Sequence, residues 1–198
     1  PYTTLFRSGG IREPYFIKAP GVTNPGSICD TPVTGTDFYP TMLQLAGLPS
    51  RPEQHLDGVS LLPLLMGGAI EERDLFWHYP HYGNQGGEPS SIIRSGDWKL
   101  IHYYEDGRDE LYKLADDIGE RRDLAGDHPA ITKKLRARLD RWLKEVGAKF
   151  PKPDPRWQPE FVAQKRQQSL RKKRKLEKRH EAVHNQDWQP NEDWYGSM

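Results

Sequence analysis

Four short runs rich in β-branched and aromatic residues, followed by one amphipathic helical pattern, constrain this 198-residue chain more than any other feature. The runs are Leu75-Phe76-Trp77-His78-Tyr79, Ser91-Ile92-Ile93-Arg94, residues 98–104 and Glu110-Leu111-Tyr112-Lys113-Leu114. Gly86-Gly87, Ser95-Gly96-Asp97 and Asp106-Gly107 separate them. Strands need neighbours to satisfy their backbone N–H and C=O groups, and connections this short join antiparallel ones. Asp106-Gly107 between two alternating runs is a hairpin signal, since such a turn takes positive φ. Over 129–146, Ile131, Leu135, Leu139, Trp142, Leu143 and Val146 recur at spacings of three and four, one apolar stripe of a helix. The pattern predicts that helix lying across one face of a meander of about four antiparallel strands, a compact α+β unit over 67–150.

Upstream, residues 9–66 read differently. Tyr15-Phe16-Ile17-Lys18-Ala19, closed by Pro20-Gly21, predicts a buried strand ending in a turn, and Asn24-Pro25-Gly26 a second turn. Thr36 or Asp37 caps a helix that accepts Pro40 in its first turn, carries Met42, Leu43, Leu45 and Ala46, and stops at Gly47. Ser60 caps a short helix over 61–66. Strand, loop and helix make one unit of an α/β sheet, and a lone unit buries neither apolar face. Its sheet partners are expected in chain that would precede Gly9. The octapeptide Pro1-Tyr2-Thr3-Thr4-Leu5-Phe6-Arg7-Ser8 resembles the translation of a sequencing adapter and is set aside from fold reasoning, as a tag would be.

The net charge of +1 hides a segregation. Between 165 and 181 nine Lys or Arg stand against two Glu, a local +7, so the remainder carries −6. The basic character belongs to a tail that follows Pro151, Pro153, Pro155 and Pro159. Such a run attracts nucleic acid or another polyanion by counterion release, or is a solvated, self-repelling helix. No aromatic is interleaved with the charges and no nucleic-acid-binding signature accompanies them, so nucleic acid is not an expected partner. One cysteine, Cys29, excludes an intrachain disulfide framework, and no apolar stretch of 18 residues suggests a membrane partner.

Gly9-Gly10-Ile11-Arg12-Glu13-Pro14, Thr36-Asp37-Phe38-Tyr39-Pro40-Thr41-Met42-Leu43, Asp57-Gly58 and the strand set through Leu124, in that order, resemble the C-terminal part of a sulfatase of the alkaline phosphatase superfamily. The likeness is greatest to bacterial enzymes similar to arylsulfatases and N-sulfoglucosamine sulfatases. It implies the α/β end of an alkaline phosphatase-like sandwich over 9–66, followed by the α+β subdomain, in a periplasmic or secreted enzyme that hydrolyses sulfate esters of a carbohydrate. It also implies a formylglycine nucleophile, made within Cys/Ser-x-Pro-x-Arg, and a calcium ion held by oxygen ligands. Neither is legible here: Cys29 is followed by Asp30-Thr31-Pro32, one position off, and Pro49-Ser50-Arg51 has Gly47 where a nucleophile would stand. The chain alone is therefore expected to bind no cofactor and to catalyse nothing. Two other readings remain: a phosphodiester or phosphonate ester hydrolase of the same superfamily, and a non-catalytic polyanion-binding protein.

His78, Tyr79 and His81, in His78-Tyr79-Pro80-His81-Tyr82-Gly83, are the candidate substrate-binding residues. Imidazoles donate to anions and aromatic rings cover sugar faces, but the same cluster suits a structural aromatic corner. Zinc at His78 and His81 lacks a third ligand nearby. Arg12 either reaches the same pocket or holds a local salt bridge.

Overall fold

The structure, a computed structural model, describes residues 8–83, 87–156 and scattered positions between 158 and 189. Most of the octapeptide, the Gly86 of the first turn signal and much of the basic run lie outside the described residues.

The four strands form where the runs predict them. β1 (Leu75–Tyr79), β2 (Ser90–Ser95), β3 (Trp98–Tyr103) and β4 (Asp109–Lys113) pair antiparallel in the order β1-β2-β3-β4. Gly107, at φ +74, makes the turn into β4. Register decides which residues share a face. Phe76, Ile93, Leu100 and Leu111 stand in one row across the sheet, and Trp77, Ile92, Ile101 and Glu110 in the next, on the opposite side.

The first of these faces meets a helix over Pro129–Glu145. Pro129 suits the first turn, where its missing N–H has no intrahelical partner in any case. Leu135, Leu139 and Leu143, four apart, are buried against Ile93, Leu100 and Leu111, while Phe76 stacks flat on Trp142 at 4.8 Å. Each such leucine contributes roughly 1.5–3 kcal/mol by leaving water. The second face gathers Ile92, Ile101, Tyr103, Tyr112 and Leu114, with Ile11, Trp77 and Tyr79 packed on them. Ile11 comes from the short turn Ser8–Ile11, so the N-terminal segment covers the sheet opposite the long helix.

Residues 15–19 correct an expectation. They are irregular, with Phe16 88% and Tyr15 47% exposed, though the turn at Pro20-Gly21 forms, Val22 and Thr23 donating to the Ala19 carbonyl at 3.0 Å. A strand without a neighbour gains no ladder bonds, and no described strand lies beside this one. The helices of the unit do form, over Phe38–Leu45 and Leu62–Leu65, the first entered through a single 3-10 turn at Gly35–Asp37. The chain is thus mixed α/β, an antiparallel sheet with a packed helix behind a shorter helical unit. In the tail, the described positions between 160 and 182 are helical and exposed.

Candidate functional site

The alternation of β1 splits the sequence cluster in two. His78 stands in register with Ser91 and His102, on the helix side, whereas Tyr79 pairs with Ser90 and Tyr103 on the other. His78 is held from both ring nitrogens: Nε2 lies 2.9 Å from the Lys149 carbonyl and Nδ1 2.6 Å from Ser91 Oγ. A carbonyl only accepts, so Nε2 carries the proton and Nδ1 accepts from the Ser91 hydroxyl; Tyr104 in turn donates to Ser91 Oγ at 2.6 Å. Burial raises the Tyr104 pKa, with the Ser91 bond opposing it, so the phenol stays neutral and can donate. The rings of His78, Tyr104 and Phe150 meet edge to face at 5.6–5.9 Å. On this side the cluster is an aromatic corner that ties the chain after the long helix to the sheet.

Beside the corner, His102 Nδ1 lies 2.8 Å from Asp109 Oδ1, and Arg136 reaches the same oxygen at 3.0 Å. Partial burial pushes the Asp109 pKa up, but the His102 bond and the Arg136 charge outweigh it and hold the carboxyl below its ordinary range. A carboxyl depressed on folding stabilises above its unfolded pKa, about 3.9, and loses that contribution as pH falls through its folded value. Asp109→Asn should therefore cost about 1.5 kcal/mol at neutral pH. It should also flatten the loss of stability below about pH 4, which urea melts across pH 2.5–7 would read. An acid limb of unchanged slope would refute the assignment.

On the opposite side Tyr79 and His81 meet at one end of the sheet, in the row of Ser90 and Tyr103, whereas Arg12 lies toward Arg94, four residues along β2. Tyr79 packs on the Ile92 cluster, as does Ile11, and the exposed His81 sets its ring edge-on to Tyr79 at 5.4 Å. Arg12, next after Ile11, is exposed and forms no ion pair among the described residues. It lies near Arg94 of β2, whose pKa is lowered first by burial and also by the Arg12 charge, with Asp97 opposing. An exposed imidazole beside a phenol ring suits an anionic, ring-shaped ligand at the Tyr79 end of this face. At the Tyr79 end Arg108 lies over the Tyr103 ring, 3.7 Å from its centre, and bonds Glu88 at 2.8 Å and Asp106 at 2.7 Å. His78 and His81 leave β1 on different sides, so they do not chelate one ion. Among the described residues no group of three or more His, Cys, Asp or Glu is placed to hold a metal.

Two buried polar knots escaped the sequence reading. Asp37, wholly buried, accepts from Thr34 N at 2.8 Å and Val59 N at 3.0 Å and pairs with Arg73. Thr41 Oγ1 donates to the Asp37 carbonyl and accepts from Leu61 N at 2.9 Å. Gly58 passes so close that a Cβ would stand 2.1 Å from the Thr36 carbonyl oxygen. The Thr36-Asp37…Thr41 and Asp57-Gly58 motifs are therefore two halves of one contact. The second knot is Lys99 with Glu120, 2.7 Å apart and buried, where the same Glu120 oxygen accepts from Ser8 N at 3.0 Å and Ser8 Oγ at 2.6 Å. Ser8 thus takes part in the fold.

The family described as N-sulphoglucosamine sulphohydrolase, C-terminal, matches residues 4–148. A sulfatase of Formosa agariphila is 36% identical over 154 residues, covering 70% of this chain and 28% of that protein. The Delta 4,5-hexuronate-2-O-sulfatase of Bacteroides thetaiotaomicron is 30% identical over 138 residues, covering 66% and 28%. The chain spans a little over a quarter of the length of either relative. A solved structure from glycosaminoglycan metabolism in Bacteroides thetaiotaomicron shares the fold at 21% identity and TM-score 0.50, over 65% of this chain and 30% of that one. The matched span takes in the Asp37 knot, the four-stranded sheet and the helix across it, and with them the chain belongs to the C-terminal family of the sulfatases of the alkaline phosphatase superfamily.

Proposed function

We propose that this chain serves as the C-terminal part of an enzyme that hydrolyses sulfate esters of a carbohydrate, and that it presents Arg12, Tyr79 and His81 to the sulfated sugar. The observation that carries the reading is the exposed His81 ring set edge-on to Tyr79 on the sheet face away from the long helix; Arg12, next after the Ile11 that packs on the same face, is an exposed cation toward its other end. Arg12 supplies charge-assisted hydrogen bonds to a sulfate oxygen, His81 a further donor, and Tyr79 an apolar ring face for sugar C–H groups. His78 acts by position, fixing the end of β1 from which Tyr79 and His81 project. The family match and the hexuronate sulfatase relative support a carbohydrate sulfate as substrate. A polymeric substrate of that kind is met in the periplasm or outside the cell. Calcium and formylglycine belong to this reading as groups furnished by other residues than those described. No reaction step is assigned to the described chain.

The test is a chimera in which residues 4–148 replace the matching segment of the Formosa agariphila sulfatase, assayed for sulfate release beside the 198-residue chain alone. The chimera is expected to turn over sulfated disaccharides and the chain alone to show none. Arg12→Ala or His81→Ala in the chimera should each raise KM about tenfold, the worth of a charge-assisted hydrogen bond of about 1.5 kcal/mol, with kcat little changed. Turnover by the chain alone, or unchanged KM in both variants, would overturn the proposal.

A further inference from the structure

The basic tail is the strongly charged surface that the sheet and its neighbours leave unused. Its described positions Arg171, Arg174, Lys175 and Lys178 are helical and exposed. Their spacing of three, four and seven puts all four on one helix face, over about 10 Å of axis. Among the described residues none of the four pairs with a carboxylate. Neighbouring cations on such a stripe lie within about one Debye length, roughly 8 Å at physiological salt, so they repel one another until an anion lies along them. The sequence sharpens the bias: between 165 and 179 nine Lys or Arg accompany one Glu, while the rest of the chain is net acidic.

We infer that this helix face is a second binding surface, outside the Tyr79–His81 site, for a sulfated polysaccharide. The choice of partner rests on the sulfatase reading above; the demand for a polyanion rests on the charges alone. Single-stranded nucleic acid is the less suited polyanion, because its binders interleave stacking rings with cations. Residues 162–187 contain no Phe, Tyr or Trp. A sulfated polysaccharide carries its charge on flexible exocyclic groups and needs no stacking platform, only a line of donors that releases counterions when occupied.

The experiment uses the full 198-residue chain and a variant carrying Arg171→Gln, Arg174→Gln, Lys175→Gln and Lys178→Gln, which keeps helix-forming residues at all four positions. Each is titrated with heparin, with chemically desulfated heparin and with a single-stranded oligodeoxynucleotide of matched charge, across 50–300 mM salt. The native chain should bind heparin at least tenfold more tightly than the variant at 150 mM salt. Its log Kd against log[salt] should be steeper by about 3, from roughly 0.7 for each of four lost contacts. Desulfated heparin and the oligonucleotide should bind more weakly than heparin. Equal heparin binding by the two proteins would overturn the surface. Equal binding of desulfated heparin, or tighter binding of the oligonucleotide, would overturn the partner. The chimera above contains only residues 4–148 and lacks this tail, so its activity judges the enzyme reading separately.

Discussion

Asp37→Ala should lower stability by about 3–5 kcal/mol, the range for removing one partner of a buried ion pair. Asp37 is wholly inaccessible, and its carboxylate accepts backbone N–H groups from Thr34 and Val59 while pairing with Arg73. With the carboxylate gone, Arg73 keeps one bond, Nη1 to the Asp57 carbonyl at 2.9 Å, and its Nε is already without a partner. A guanidinium stranded in that state costs more than the hydrogen bonds that were lost. The damage should be local first. Hydrogen exchange at Val59 and Leu61, whose amides are held by Asp37 and by Thr41, is expected to accelerate, while the amides of β2 and β3 hold. Unchanged exchange at Val59 together with an unchanged urea midpoint would show that the knot contributes nothing. Gly58→Ala strikes the same contact from the other side, because its Cβ meets backbone at Thr36 and no rotamer change relieves it.

Glu120→Ala should cost a similar amount, about 3–5 kcal/mol, by leaving the Lys99 ammonium buried beside an apolar side chain. Lys99 is 1% exposed and sits in β3 between Trp98 and Leu100, so no bulk water reaches it. Glu120 also sits at φ +52, a region that costs most side chains roughly 1 kcal/mol or more and glycine nothing. That combination gives the prediction its control. The double variant Lys99→Met with Glu120→Gly removes both charges and relaxes the backbone, and it should recover most of the loss. A double-mutant cycle in urea measures the coupling. If Lys99→Met and Glu120→Gly instead destabilise additively, the pair is not the unit that holds this corner. Ser8, which donates twice to the same carboxylate oxygen, should show the effect as faster exchange of its own amide.

Where the sequence was legible, local pattern and tertiary need agreed. Asp106-Gly107 set a turn whose glycine takes φ +74, and the 131–143 stripe supplied the leucines that fill the helix side of the sheet. Residues 15–19 show the opposite case. Their composition is that of a strand, but strand formation is a property of pairs, and the described chain offers no partner. Lys99 was illegible for a different reason. Period-two alternation assigns it to the face opposite Leu100, and a lysine there reads as solvent-facing. It is buried because Glu120, twenty-one residues later, folds over it. The candidate site divides along the same line. Tyr79 and His81 were named from residue type and meet on one side of the sheet, Arg12 was named from its place after Gly9-Gly10 and lies toward the other end, and His78, grouped with Tyr79 and His81 by adjacency, faces the helix. One residue along a strand is a change of face, and nothing in residue type alone says which neighbour the core will claim.

The bond from His78 to the Lys149 carbonyl has a consequence for how a long substrate would be handled. Together with the contact of Phe150 on Tyr104, it fixes the root of the tail beside the very strand end that carries Tyr79 and His81. On the readings proposed above, a polymer gripped by the basic helix would be held near that strand end by a tether of about twenty residues. Tethers of that order hold a second site at an effective concentration of roughly millimolar. After one sulfate is removed and the product end lets go, rebinding competes with escape on those terms, so several esters along one chain would be cleared in a single encounter. Cutting the His78 anchor would free the tail from that strand end and shorten the run.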